Sequence, residues 1–350
     1  MSSNLEPSGL AEATVATSAE LAEAIARADF SGCAATIVGY GNMGRHFLKA
    51  LQTLGVGRVR VCSTSGAALK ELDGAPGVET VAAGFHDLEC VPVPGELGII
   101  STPTKSLAPA ARKLAALGFR RLLIEKPVSL WSKEIQELSR ELDRQGVESA
   151  CGFNRIAYPS FHEIRARAAE EGGITSCTYD FTELIRPDWV ERFPAVELAR
   201  WGVSNSVHVM SMAHGFIGMP GEWHGQRTGA ISWHPAGAVF VGSGMSERGI
   251  PFAYHGDWGS MGRWVIELHT PVSSYRLCPI EQVQRKTAGL GEWEPVAVAA
   301  FAPELKAGIA EEVAAMLNPE VGGIVPLFSL VGTLSLTRYG EEIFGYTDQE

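Results

Sequence analysis

The stretch Thr36-Ile37-Val38-Gly39-Tyr40-Gly41-Asn42-Met43-Gly44 ("TIVGYGNMG") decides the fold. A short run of strand formers enters a G-x-G-x-x-G turn, and "RHFLKALQTLG" follows with its apolar residues at helical spacing. The glycines have separate physical jobs. Gly39 permits the tight turn, Gly41 lets the backbone approach a pyrophosphate, and Gly44 lets the helix lie close to the strand, with its N-terminal amides facing the phosphate charge. Alone, the pattern also fits an ordinary strand-to-helix turn. Between a strand and a helix it predicts a dinucleotide site, with Asn42 and Met43 in the same loop.

Working outward, "AATIVG", "RVRVCST", "LGIISTPT" and "RRLLIEKP" are short apolar runs separated by helical stretches such as "LAPAARKLAALG". Strands alternating with helices of this length predict right-handed βαβ units and a parallel sheet buried on both faces, a doubly wound Rossmann domain over residues 32–150. Before it, residues 1–31 read as a mobile arm and a short helix from about Ser18 to Ala28, with Ser18 a plausible N-cap. After Cys151 the texture changes to longer alternating segments. Trp264, Ile266 and Leu268 fall on one face of a strand, and Val265, Glu267 and His269 on the other, the period of a half-exposed strand. Residues 151–330 are therefore expected to form an α+β domain with an open, largely antiparallel sheet. The last stretch, residues 331–350, reads as a helix that packs back on the first domain.

The 350-residue length agrees with two domains, because single cores usually stop growing before about 300 residues. A formal charge of −11 disfavours nucleic acid and anionic membrane as partners and leaves small-molecule chemistry. The six cysteines are scattered, with no C-x-x-C pair, and read as free thiols in a reducing compartment. The first basic residue is Arg27, and no apolar run approaches the roughly 20 residues that span a bilayer, so a cytoplasmic protein is expected. The histidines at 214, 224, 234 and 269 share no ligand spacing, and no metal site is expected.

Two further places bear on chemistry. Beyond the second strand, where an acid usually bonds the ribose 2′-hydroxyl, stand Ser63, Thr64 and Ser65; hydroxyls without a carboxylate lean towards NADP, with NAD the alternative. At the carboxyl end of the "RRLLIEKP" strand, where such sheets bind ligands, Glu125-Lys126-Pro127 ends a greasy run. Proline turns Lys126 out of the ladder, where it can donate to a carbonyl or alkoxide oxygen, and Glu125 could hold it in place; the alternative is a salt pair at a strand end.

In order and spacing, Gly39 to Gly44, "STPT" (residues 101–104), "EKPVSL" (125–130), "GFNRIAYPSF" (152–161), "KAGIAEEV" (306–313) and "RYGEEIFGY" near the end resemble the Gfo/Idh/MocA oxidoreductases. The resemblance implies a nucleotide-contacting set that adds Thr102, Pro103, Glu125 and Lys126 to the glycine loop and the serines. It also implies that Lys126 is the catalytic lysine, that the second sheet closes the substrate cleft, and that the sheet's outer face makes a homodimer or homotetramer. In the family a D-x-x-x-H element supplies an aspartate and a histidine one turn apart; here His208 matches the histidine, but Ser204 stands where the aspartate would be, with Asn205 beside it and Met212 at a second acid position. The role of His208 as acid or base is thereby put in question, leaving substrate binding or core filling as alternatives. Asn154 and Arg155 could face the cleft or hold the domain interface, and "HGDWGSMGRW" (255–264) could stack a sugar or form a hairpin tip.

The expectation is an oxidoreductase that moves hydride between nicotinamide and a ring carbon of a sugar, nucleotide sugar or cyclitol. "GRWVIELHT" and "YRLCPIEQVQ" resemble family members of bacterial polysaccharide biosynthesis. The alternatives are a non-catalytic dinucleotide-binding regulator, a nicotinamide-dependent glycosidase and an imine reductase.

Overall fold

A computed structural model describes residues 9–10, 13–287 and 291–347. Of the expected arm, residues 1–8 and 11–12 lie outside the described residues. The rest is laid against the C-terminal part of the chain: Leu10 bridges to Phe328, and the Thr14 amide donates to the Gly323 carbonyl at 2.7 Å. The first helix runs Ser18–Arg27, and its N-cap is Thr17 rather than Ser18. Thr17 and Glu20 close a reciprocal capping box, while the Ser18 hydroxyl is drawn away to Glu163 at 2.7 Å.

The first sheet holds six parallel strands, β1 (Ala34–Val38), β2 (Arg58–Cys62), β3 (Val78–Val81), β4 (Leu97–Ile100), β5 (Arg121–Glu125) and β6 (Glu148–Gly152). Their order, β3-β2-β1-β4-β5-β6, reverses direction at β1, the switch point at which such sheets hold dinucleotides. All five residues of β1 are buried because helices cover both faces, which is why these strands read as unbroken apolar runs. The helix Asn42–Leu54 packs on one face and ends at Gly55 in the left-handed region, φ 76°.

The second sheet has eight strands, β7 (Ser176–Asp180), β8 (Pro220–Thr228), β9 (Val239–Ser246), β10 (Pro251–Asp257), β11 (Val265–His269), β12 (Ser273–Leu277), β13 (Val283–Thr287) and β14 (Glu294–Pro295). It is antiparallel except where β10 pairs with β7. On β11, Ile266 and Leu268 are buried while Val265, Glu267 and His269 are half-buried, the alternation expected from sequence. The inner face is lined with rings, among them Tyr179, Phe181, Phe240, Tyr254 and Trp258.

After the second sheet the chain returns to the helices that flank the first sheet. The helix Ile309–Leu317 lies on Asn42–Leu54, and the helix Leu330–Phe344, capped by Ser329, lies on the helix Ser132–Arg144 and reaches β8. These returns bring residues from the end of the chain within reach of the glycine loop.

Candidate active site

The carboxyl ends of the parallel strands open into a cavity of about 690 Å³. Its walls are the glycine loop with Gly39, Gly41, Asn42 and Met43, the β2 end with Ser63, Thr64 and Ser65, the β4 end with Thr102 and Pro103, and Glu125 and Lys126 from the β5 end. Gly44 lies beneath. A β-carbon on Gly44 would overlap the Gly39 carbonyl, and one on Gly39, at φ 98°, would sit 2.6 Å from the Ser101 carbonyl oxygen. By contrast, a β-carbon on Gly41 would meet nothing within 4 Å, since it would project into the crevice.

These walls fit a dinucleotide. The 13-residue helix that starts at Asn42 has Gly41 as its N-cap, so no side chain occupies its first amides, which suit a pyrophosphate. The Thr102 hydroxyl is buried at the crevice wall without a partner among the described residues, a donor left for a ligand. No acid stands at the β2 end. The Ser63 hydroxyl takes the Ser65 amide at 3.1 Å, and the Ser65 hydroxyl caps the short helix Gly66–Lys70, leaving Thr64 exposed. Arg45 does not face a ribose phosphate freely; it is paired with Glu71 and stacked over Tyr40, 4.8 Å from the ring centre.

Strand β5 ends at Glu125, and a cis Lys126–Pro127 bond follows. Val128, fully buried, takes φ 69°, where a β-branched residue is held only by its surroundings. The Lys126 ammonium leaves the ladder and donates to the Ser204 carbonyl at 2.7 Å. Burial pulls its pKa down from 10.5 to about 8; Glu125 pulls the other way, Arg155 and Lys306 reinforce the drop, and Glu197 opposes it. Glu125 is itself buried, and burial raises its carboxyl above the usual range against the pull of Lys126, Lys306 and Arg155. It therefore acts on Lys126 through its charge, whereas the hydrogen bond to the ammonium comes from Ser204.

Ser204 and Asn205 lie in the single π-type turn Gly202–Ser206 that leads into the helix Val207–Ile217. The Ser204 side chain turns away from the cleft, its hydroxyl donating to the Glu197 carbonyl at 3.1 Å, so its contribution is the backbone oxygen under Lys126. The Asn205 amide donates to Glu183 at 2.7 Å, which brings an acid from the end of β7 beside the turn where the helix aspartate is missing. His208 is buried at 8 % exposure with Nδ1 unpartnered among the described residues and its ring 5.9 Å from that of Trp264. Burial and then the charges of Arg155, Lys126 and Lys306 hold its pKa well below 6.5, so the ring is neutral. Met212 is fully buried in the core.

Arg155 stands between the Trp264 and Tyr158 rings, 5.8 and 6.0 Å from their centres, with its Nε buried and unpartnered among the described residues. Asn154 is 3 % exposed; its amide donates to the Ala307 carbonyl at 2.9 Å and its oxygen accepts from Arg155 at 2.8 Å, so it ties the β6 end to the C-terminal return. In "HGDWGSMGRW" the two tryptophans part company. Trp258 is core, while Trp264 faces His208 and Arg155.

Sequence reasoning missed Glu197, Glu183 and Lys306. Lys306 reaches Met43 of the glycine loop, Nζ to Sδ 3.0 Å, and close behind lies Glu312, whose buried carboxyl, without a partner among the described residues, is raised well above its usual range. Lys306 was visible only as the first residue of "KAGIAEEV"; no local signal marks the other two.

Comparisons with known proteins bear on the fold. No curated protein matches the chain. A levoglucosan dehydrogenase in complex with NADH is similar in structure, with a TM-score of 0.72 and 15% identity over 90% of this chain and 96% of that one. A UDP-N-acetylglucosamine 3-dehydrogenase from Acidithiobacillus ferrooxidans gives 0.67 and 13% over 89% and 96%. The WlbA dehydrogenase of Chromobacterium violaceum, in complex with NADH and UDP-GlcNAcA, gives 0.66 and 14% over 90% and 94%. At these identities the likeness is one of fold. Residues 34–153, which hold the six-stranded parallel sheet, match the family described as an oxidoreductase family with an NAD-binding Rossmann fold, GFO_IDH_MocA.

Proposed function

We propose that the protein is a nicotinamide-dependent oxidoreductase that interconverts a hydroxyl and a carbonyl on a ring carbon of a sugar, nucleotide sugar or cyclitol. The observation that carries this reading is Lys126: a half-buried ammonium at the rim of the glycine-walled crevice, held by the Ser204 carbonyl and tuned to about pH 8. When bound, the nicotinamide accepts or supplies the hydride. Lys126 donates a proton to the carbonyl oxygen in reduction and accepts it in oxidation. His208, neutral and unpartnered at Nδ1, orients a substrate hydroxyl, and Arg155 and Trp264 supply a cation and an aromatic face for the ring.

The hydroxyl-lined β2 end, free of an acid, favours NADP over NAD. A cytoplasmic homo-oligomer joined through the outer face of the second sheet is part of the same proposal. The test is absorbance at 340 nm with NADP+ and NAD+ against a panel of UDP-sugars, anhydrosugars and inositols. Turnover that vanishes in Lys126→Ala supports the reading, and full turnover in that variant removes it. Ser204 in place of the family's aspartate favours a second reading, a dinucleotide-binding regulator; dinucleotide binding with no turnover across the panel would select it.

A further inference from the structure

We propose that Glu197 is the counter-charge of the nicotinamide site, a carboxylate that stabilises the oxidised, positively charged form of the bound dinucleotide over the reduced form. This rests on the nicotinamide reading above. Among the described residues, every other residue lining the crevice comes from residues 38–126, and Glu197 alone comes from the part of the chain beyond β6. It is half-buried, and its carboxylate takes no hydrogen bond or close ion pair among the described residues, yet its charge acts on Lys126. Its place is fixed through the backbone. The Glu197 carbonyl accepts from the Ser204 hydroxyl at 3.1 Å and from the Arg200 amide at 3.2 Å, and Arg200 is pinned to the Leu130 carbonyl at 2.8 Å and to Glu341 at 2.5 Å.

A nicotinamide ring is a cation when oxidised and neutral when reduced, so a fixed carboxylate beside it lowers the free energy of the oxidised form alone. Lys126 carries a positive charge until it gives up its proton. With Glu197 in place, the crevice offers the carboxylate one cationic neighbour in either state: the ammonium beside the reduced ring, or the oxidised ring beside the neutral amine. The same carboxylate makes the bound reduced form the better hydride donor, which points the site towards carbonyl reduction. It also restores an acid to a cleft whose helix has Ser204 at the aspartate position, seven residues further on.

The test needs no substrate. NADP+, NADPH, NAD+ and NADH are titrated by tryptophan fluorescence against the wild type, Glu197→Gln, Glu197→Asp and Glu137→Gln, the last an exposed acid outside the crevice. In Glu197→Gln the dissociation constant of the oxidised form should rise about 3- to 10-fold over that of the reduced form, a partly screened charge contact. Glu197→Asp should keep most of the wild-type ratio and Glu137→Gln all of it. A ratio unchanged by Glu197→Gln while both forms bind overturns the proposal and leaves the nucleotide site standing, as does an equal change in Glu137→Gln. A wild type that binds none of the four overturns both.

Discussion

A lysine ammonium ordinarily keeps its proton to pH 10.5; that of Lys126 gives it up near pH 8 because burial outweighs the help of Glu125 and Glu197. The sign of the pH dependence follows. On the proposed mechanism reduction needs the ammonium, so its rate should be level below about pH 8 and fall about tenfold per unit above it. Oxidation needs the free amine, so it climbs with pH and levels off past the same point. Lys126→Ala should lower kcat by about 10²- to 10⁴-fold, with dinucleotide affinity retained, measured as turnover and as fluorescence titration. His208 is expected to behave differently. Its neutral form is the folded one at and well below pH 6.5, so rate profiles should show no limb there, and His208→Asn should lower kcat/KM without moving the Lys126 limb. A limb near pH 6.5 that disappears in His208→Asn would show a charged imidazole and refute the neutral assignment.

Elements differ in how far their chemistry could be read from sequence. The glycine loop was legible because its physics is local: a turn at φ 98°, a close approach at Gly44 and a bare helix end need glycines at fixed spacing. Lys126 was legible because proline marks the end of its strand. Ser204 was not. Its place at the family's aspartate position pointed to its side chain, but the atom that meets Lys126 is its carbonyl, and nothing in a one-letter code says which backbone oxygen a distant lysine will find. Glu197, Glu183 and Lys306 reach the crevice region only through tertiary returns of the chain, so spacing holds no record of them. The loop itself supports a sharp expectation. Gly39→Ala places a β-carbon 2.6 Å from the Ser101 carbonyl at a φ that side chains avoid, at a cost of about 1–3 kcal/mol. Relief requires the loop to shift away from β4. Dinucleotide affinity should drop by about tenfold or more, the equivalent of 1.4 kcal/mol, with the far-ultraviolet circular dichroism unchanged; unaltered affinity would mean that the turn is not what the nucleotide reads.

At the scale of the whole molecule, the contact under Lys126 holds only while the end of β5 and the turn Gly202–Ser206 keep one relation, because Lys126 follows the first and the Ser204 carbonyl belongs to the second. Arg200 ties the chain together near that junction. It is buried at 4 % exposure, stacked 3.9 Å from the Trp131 ring centre and 4.7 Å from that of Tyr346, and it joins Leu130, just past Lys126, to Glu341 of the C-terminal helix. Glu341 also accepts the Ser132 amide at 3.0 Å, so one carboxylate serves both domains. Removing the guanidinium alone strands that carboxylate, which in buried pairs costs about 3–5 kcal/mol. Arg200→Met should therefore unfold at lower denaturant concentration, and an Arg200→Met/Glu341→Met double variant should recover part of the loss because it leaves no charge behind. Stability alone would not separate a general scaffold from a positioning tie, and the pH profile does. If Arg200 fixes the segment carrying Glu197 and Ser204, the Lys126 limb should move in the double variant even where stability has returned; a limb still at about pH 8 would mean that the lysine is tuned by its own domain.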